Sequence, residues 1–244
     1  MNILIACEES QEVCKAFREK GHNAYSCDVI DCSGGRPEWH IKCDVLEILE
    51  PKEHVGCHYE KAIHFTTVTG KKECVPKWDM IIAHPPCTYL SCAGNGYFNI
   101  EKYGDSAIER IKKRQEAYEF FIRIFNTDCD KICIENPAGY MNHHFRKPNQ
   151  TIHPYYFAES VNDEKNFHMK RTCLWLKGLP NLVYRKPTEK PDPIYVDRIS
   201  GKKRYYVDAI TGNSKNGQKN RSKTFPGIAL AMAEQWGGVS HETY

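Results

Sequence analysis

A chain of 244 residues, 41% hydrophobic and 27% charged, can bury one full core and has little room for a second. A formal charge of +3 is too near balance to argue for or against nucleic acid. There is no apolar run of bilayer length and no cleavable signal pattern at Met1-Asn2-Ile3, which predicts a soluble, cytoplasmic protein without a membrane partner. Twelve cysteines scattered over such a chain read as reduced thiols rather than a disulfide scaffold.

Asn2–Ala6 predicts the first strand. Ser10–Lys20 predicts a helix with Val13, Ala16 and Phe17 on one face and Gly21 as its stop, and Ala24–Cys27 a second strand ending at Asp28. Strand, helix, strand and an acid roughly 20 positions after the first turn make a nucleotide-binding half-unit, in which the acid accepts from ribose hydroxyls. An Asp at a strand end also occurs with no ligand. A glycine-rich first turn is missing: Ala6-Cys7-Glu8-Glu9-Ser10 stands there, and without glycine the backbone cannot approach a ligand as closely. Trp39–Val45 predicts a third strand delivering Asp44, which can equally cap a helix beginning at Val45.

Residues 51–77 predict a hairpin insertion, with His64–Thr69 and Gly70 forming a flap near the active face. His54, Cys57, His58, His64 and Cys74 are zinc-capable side chains there, but they lack the paired spacing of a structural site, and no metal is predicted.

After Trp78, the run Asp79–Ala83 predicts one buried strand, stopped by His84-Pro85-Pro86. Two prolines make the exit stiff and hold Cys87 just past the strand end, where an open α/β sheet places its chemistry. Thr88–Gly104 predicts a functional loop bearing Tyr89, Gly94, Gly96, Tyr97 and Phe98, hinged at Asn95, with Cys92 a bystander.

Ser106–Asn126 is the clearest helix, opened by a Ser106-x-x-Glu109 capping box and striped for the core by Ile111, Tyr118, Phe121 and Phe125. Lys131–Ile134 is the next strand and delivers Glu135-Asn136-Pro137. Asn136–Gln150 reads as a basic surface loop carrying His143, His144, Arg146 and Lys147. Lys170-Arg171-Thr172 precedes a strand-like Cys173–Leu176. Residues 187–223 form a basic loop region, in which Lys202, Lys203 and Arg204 adjoin Tyr205 and Tyr206 ahead of Lys215, Lys219, Arg221 and Lys223. That mixture suits phosphate contacts with aromatic packing, and a solvated loop equally. Ile228–Trp236 closes the chain as a helix, marked by Pro226 before it and Gly237-Gly238 after it.

Pro-Pro-Cys87 after one strand and Glu135-Asn136-Pro after the next resemble the DNA (cytosine-5) methyltransferases, which carry a Pro-Cys nucleophile motif and then a Glu-Asn motif in those places. The segments CEES, WH, AHPPC, IENP, LWLKGLP and TFPGIA, spread from end to end, are similar to the short methylase-like proteins of phages and prophages. The resemblance implies an α/β, single-domain, Rossmann-like methyltransferase over residues 1–244, with a mostly parallel sheet and helices on both faces. S-adenosylmethionine is the implied cofactor, held by Glu8, Ser10, Asp28, Asp44, Val45 and Pro85. Within that set Glu8 would take the amino-acid end, Asp44 the adenine amino group and Val45 the ring face. The closing helix would wall the same site.

The implied substrate is a cytosine flipped out of DNA, in the cytoplasm of a bacterial or phage-infected cell. Cytosine carbon 5 is not nucleophilic enough unaided. A Cys87 thiolate adding at carbon 6 makes it so, and a protonated Glu135 beside N3 stabilises the charge that develops. That role calls for a Glu135 pKa raised by a partly apolar, closed site. Arg171 would contact the base carbonyl or a phosphate, and the loop after Cys87 would close over the base. Amino-group methylation fits less well, because a thiol is a poor stacking surface. The same chemistry on RNA or a free pyrimidine nucleotide stays open, as does a DNA- or cofactor-binding protein without turnover.

Overall fold

Apolar residues recur without a break along several short segments, which is the pattern of a sheet covered on both faces. The computed structural model describes residues 1–53, 59–184, 189–198, 201–205 and 223–238. Its strands run as β1 (Asn2–Ala6), β2 (Asn23–Asp28), β3 (His40–Lys42), β4 (Lys52–Glu53), β5 (Lys61–Thr66) and β6 (Lys72–Val75). They continue as β7 (Met80–Ala83), β8 (Ile132–Pro137), β9 (Gln150–Ile152), β10 (Thr172–Lys177), β11 (Tyr195–Val196) and β12 (Lys203–Arg204). The α-helices are α1 (Glu12–Glu19), α2 (Ile100–Tyr103), α3 (Asp105–Phe125), α4 (Met141–His144) and α5 (Pro226–Trp236).

Seven strands make the central sheet, in the order β3-β2-β1-β7-β8-β10-β9. The first five in that row are parallel, while β10 is antiparallel to both of its neighbours. The chain winds outward from β1 to β3, then returns to lay β7 on the other flank of β1. A mostly parallel α/β sheet with such a reversal is compatible with a Rossmann-like fold, and the crevice beyond the reversal is where such sheets bind ligands. Here it lies between the carboxyl ends of β1 and β7.

Side-chain alternation sends Ile3, Ile5, Met80, Ile82 and Leu174 to one face, where Val13 and Phe17 of α1 and Ile228 and Met232 of α5 cover them. Leu4, Tyr25, Ile81, Ile134 and Trp175 take the other face, under Phe121 and Ile124 of α3 and Ile63, Phe65 and Val75 of the β5–β6 hairpin. Helix α1 stops at Gly21, whose φ of 80° suits a residue without a Cβ. Helix α5 opens with Pro226, and its Gly227 N–H donates to Asn166 Oδ1 at 2.7 Å. No helix of the described residues is long and apolar enough to cross a membrane.

Several local expectations are corrected. The third strand is only His40–Lys42, because Pro37 starts a 3-10 turn before it and the Asp44 carboxylate accepts from Leu46 N–H after it, at 3.0 Å. The capping box does not form: Gly104, at φ 52°, stands at the cap of α3, and Glu109 pairs instead with Lys113 at 3.0 Å. Ile111 is exposed rather than part of the core stripe. The segment after Asn136 is no plain loop, since it contains α4 and the start of β9. The β5–β6 hairpin is not a flap at the active face. It covers the sheet, and Val68 N–H donates to His40 O at 2.9 Å, at the start of β3. His54, Cys57, His58, Tyr206, Lys215, Lys219 and Arg221 lie outside the described residues.

Candidate active site

Strands β7 and β8 are parallel with Ala83 beside Ile134, so the next pair in register is His84 and Glu135. His84 Nδ1 stands 3.3 Å from Glu135 Oε2, and both side chains are about nine-tenths buried (10% and 9% exposed). Two further segments close on them. Lys170 Nζ, ahead of β10, is 4.0 Å from Glu135 Oε1. Thr224 Oγ1, ahead of α5, lies 3.5 Å from both Glu135 Oε2 and His84 Nδ1.

Burial raises the pKa of Glu135, but the hydrogen bond and charge of His84, helped by Lys170 and Thr224, outweigh it and leave the carboxyl below its usual value. For His84 burial acts downward, and Glu135 and then Glu8 outweigh it upward. Both shifts favour the ion-paired form, an imidazolium facing a carboxylate. That corrects the expectation of a raised Glu135 pKa: the site is buried but not apolar.

Asn136, next along, donates from Nδ2 to the Pro85 carbonyl at 2.8 Å and so ties the two motifs together. Its Oδ1, like His84 Nε2, is buried without a hydrogen-bond partner among the described residues. Pro85 is itself buried. Cys87 is exposed and starts a turn, its carbonyl accepting from Leu90 N–H at 3.0 Å and Ser91 N–H at 2.9 Å. Beyond it the two motif segments are bonded again, Tyr140 N–H to Leu90 O at 2.7 Å and Cys92 N–H to Ala138 O at 3.3 Å. A Cβ at Gly139 would run into the Leu90 carbonyl, so this close approach needs glycine.

The segment after Cys87 is pinned to α3. Arg110 donates to Thr88 O at 3.1 Å, and Arg114 to Tyr89 O at 2.9 Å and to Asn95 Oδ1 at 2.8 Å. The Arg114 guanidinium also lies 3.2 Å from the centroid of the Phe98 ring. Asn95 thus anchors a 3-10 turn, Cys92–Phe98, rather than serving as a free hinge.

At the β1 side of the crevice the expected cofactor residues separate into two groups. Glu8 is buried, and its oxygens accept from Val13 N–H at 2.7 Å and Cys14 N–H at 3.2 Å, on the first turn of α1. Burial pushes its carboxyl up to about 7 against the pull of His84 and those N–H groups. Ser10 and Val45 are also buried, Val45 within the core on the α3 face. Glu8 is thus engaged with the start of α1, and Ser10 and Val45 are packed inside the protein.

Asp28 is partly exposed at the end of β2, next to the exposed side chains of Val29 and Ile30, and Asp44 is exposed. Both carboxylates act on Cys7, whose thiol is pushed up chiefly by burial and then by Asp28 and Asp44. Cys7 has a φ of 58°, so the first turn takes the left-handed backbone usually given to glycine with a cysteine in its place.

Arg171 is exposed at the start of β10 and is not the residue that reaches Glu135. Strand parity explains the difference. Leu174 and Leu176 face α1 and α5, whereas Cys173 and Trp175 face α3. Lys170 shares the parity of the first pair, which is also the face of Glu135, and Arg171 that of the second. Sequence reasoning missed His84, Lys170 and Thr224 as members of the site. The available signal was a histidine placed directly before Pro-Pro at a strand end.

No family model matches the chain, and no curated protein matches it.

Proposed function

We propose that this protein methylates carbon 5 of cytosine in DNA, in the cytoplasm, using S-adenosylmethionine and Cys87 as the nucleophile. One observation carries the reading: an exposed thiol on a stiff turn past β7, at the reversal point of the sheet, in a segment tied through the Pro85 carbonyl to Asn136, the residue after a buried acid on the neighbouring strand. The resemblance of the two motifs to cytosine-5 methyltransferases supports it as well.

A thiolate is the natural group to add at carbon 6, because cysteine is a strong nucleophile with a few per cent ionised near neutral pH. Glu135 then serves N3, the ring atom where negative charge collects. Asn136 holds the Pro85 carbonyl and so fixes the turn that carries Cys87 relative to Glu135. The Arg110 and Arg114 contacts hold the following segment as the wall that excludes water. When bound, S-adenosylmethionine supplies the methyl group. Asp28 with exposed Val29 and Ile30 fits its ribose and adenine, whereas Glu8, occupied by α1, does not fit its amino-acid end. The exposed Lys202 and Lys203 near β12 suit phosphate contacts.

Sequencing 5-methylcytosine in DNA from cells expressing the chain tests the reading. Methylated cytosines are expected with the parent and none with Cys87→Ala. Unmethylated DNA from the parent contradicts it.

A further inference from the structure

On the methyl-transfer reading, we propose that His84 is a positioning residue that stores, on Nδ1, the proton Glu135 passes to ring N3 as Cys87 adds to carbon 6. A resting Glu135 carboxylate has acceptors only and cannot stabilise N3 until it is protonated. Among the described residues three side chains lie within 4.0 Å of it. Thr224 is a neutral hydroxyl at 3.5 Å. Lys170 lies at 4.0 Å, beyond hydrogen-bond reach. His84, at 3.3 Å, has the nearest nitrogen and the chemistry to titrate near neutrality.

The surroundings favour a proton at rest on His84. Glu135 from β8 faces it with negative charge, Glu8 from the β1–α1 turn adds to this in its ionised form, and Lys170 opposes them from the start of β10. Thr224, from the segment before α5, bridges the pair at 3.5 Å to each partner. The backbone fixes the ring's place, because His84 N–H donates to Ala6 O at 2.9 Å and Pro85 follows.

The step balances within the site. The thiolate electron pair forms the sulfur–carbon 6 bond, and the ring π electrons shift through carbon 4 to N3. N3 takes the carboxyl proton of Glu135, and Glu135 takes the Nδ1 proton of His84. Thiolate and imidazolium are both neutralised, and no oxidant, reductant or further reactant is consumed. When sulfur is expelled at the end of the cycle, the proton returns along the same line.

The test reads turnover that requires the addition step, as tritium release from carbon 5 of labelled cytosine DNA, for the parent, His84→Gln, His84→Asn and Cys87→Ala from about pH 5 to about pH 9. The parent should lose rate at the alkaline side where the imidazolium is lost. In both His84 variants that limb should move to lower pH, with release at least about tenfold slower above neutrality and nearly restored in acid. An ¹⁵N-histidine titration by NMR adds a readout independent of turnover: His84 should titrate above its ordinary value, and lower in Glu135→Gln. An unchanged alkaline limb in folded His84→Gln, with release still dependent on Cys87, overturns the relay and leaves the methyl-transfer reading standing. A His84 midpoint at or below the ordinary value also overturns it. No release from the parent with any substrate removes the transfer reading, and the relay with it.

Discussion

The turn after β1 and the turn after β7 leave the sheet side by side, and their polar groups end in different places. In the first turn Glu8 binds the start of α1, Ser33 N–H donates to Glu9 O at 2.8 Å, and Gln11 holds Arg36 through both its amide atoms. Gly34 lies so close to Ser10 and Gln11 that a Cβ there would collide with both. Two non-glycine residues, Cys7 and Gln11, take positive φ there. At the ends of β7 and β8, by contrast, His84 and Glu135 are buried as a pair, Asn136 Oδ1 and His84 Nε2 are buried with no hydrogen-bond partner among the described residues, and a thiol is exposed. In the first turn Glu8 and Gln11 are committed to building structure. The second holds charged groups that packing alone does not need, which is where chemistry is expected.

If this contrast is right, substitutions on the two sides should differ in kind. The largest effect on stability belongs to Glu135→Ala, which leaves His84 and Lys170 facing a buried gap. A loss of about 3–5 kcal/mol in urea unfolding is expected, against less than about 0.5 kcal/mol for Cys87→Ala. A similar small loss for both would break the comparison.

Next comes Gln11→Ala, on the other side. It strips Arg36 N–H and C=O of their partners and frees Ser26 Oγ from the amide. About 2–4 kcal/mol should be lost by the same measurement, and histidine NMR should show the His84 midpoint unmoved. A shifted His84 would mean the two turns act as one unit.

The smallest effect is expected for Cys7→Gly, because relief of the left-handed backbone offsets the loss of a half-buried side chain. Thermal unfolding should change by no more than about 1 kcal/mol in free energy. A drop beyond about 2 kcal/mol would show that the thiol, and not the turn, is what the position requires.

Much of the frame was legible in the chain. NILIA forms β1 at the expected bounds, and the predicted strands before Cys87 and Glu135 are β7 and β8. β7 is a short apolar run cut off before His84-Pro85, as local chemistry dictates. β8 instead runs on past the expected end at Ile134, through Glu135-Asn136 to Pro137, because β10 pairs with it along that length. The capping box failed because Gly104, two residues before Ser106, takes a positive φ and starts the helix early.

The candidate site was half legible. Cys87 and Glu135 each sit in a local motif. His84, Lys170 and Thr224 come from segments 54 to 140 positions apart, assembled only when α5 and the start of β10 pack on the sheet. Lys170 against Arg171 turns on a single step of strand parity, which charge alone cannot reveal. Glu8 misled because a carboxylate that can take a ligand's ammonium can equally take a helix N-terminus.

The most direct test of the central claim is covalent capture. The protein is incubated with DNA carrying 5-fluorocytosine and with S-adenosylmethionine, and the product is mapped by mass spectrometry after proteolysis. A nucleotide bonded to the peptide containing Cys87, and missing in Cys87→Ala, is the predicted result. Unmodified Cys87 in folded, cofactor-supplied protein, or a bond at another cysteine such as Cys92, would contradict it.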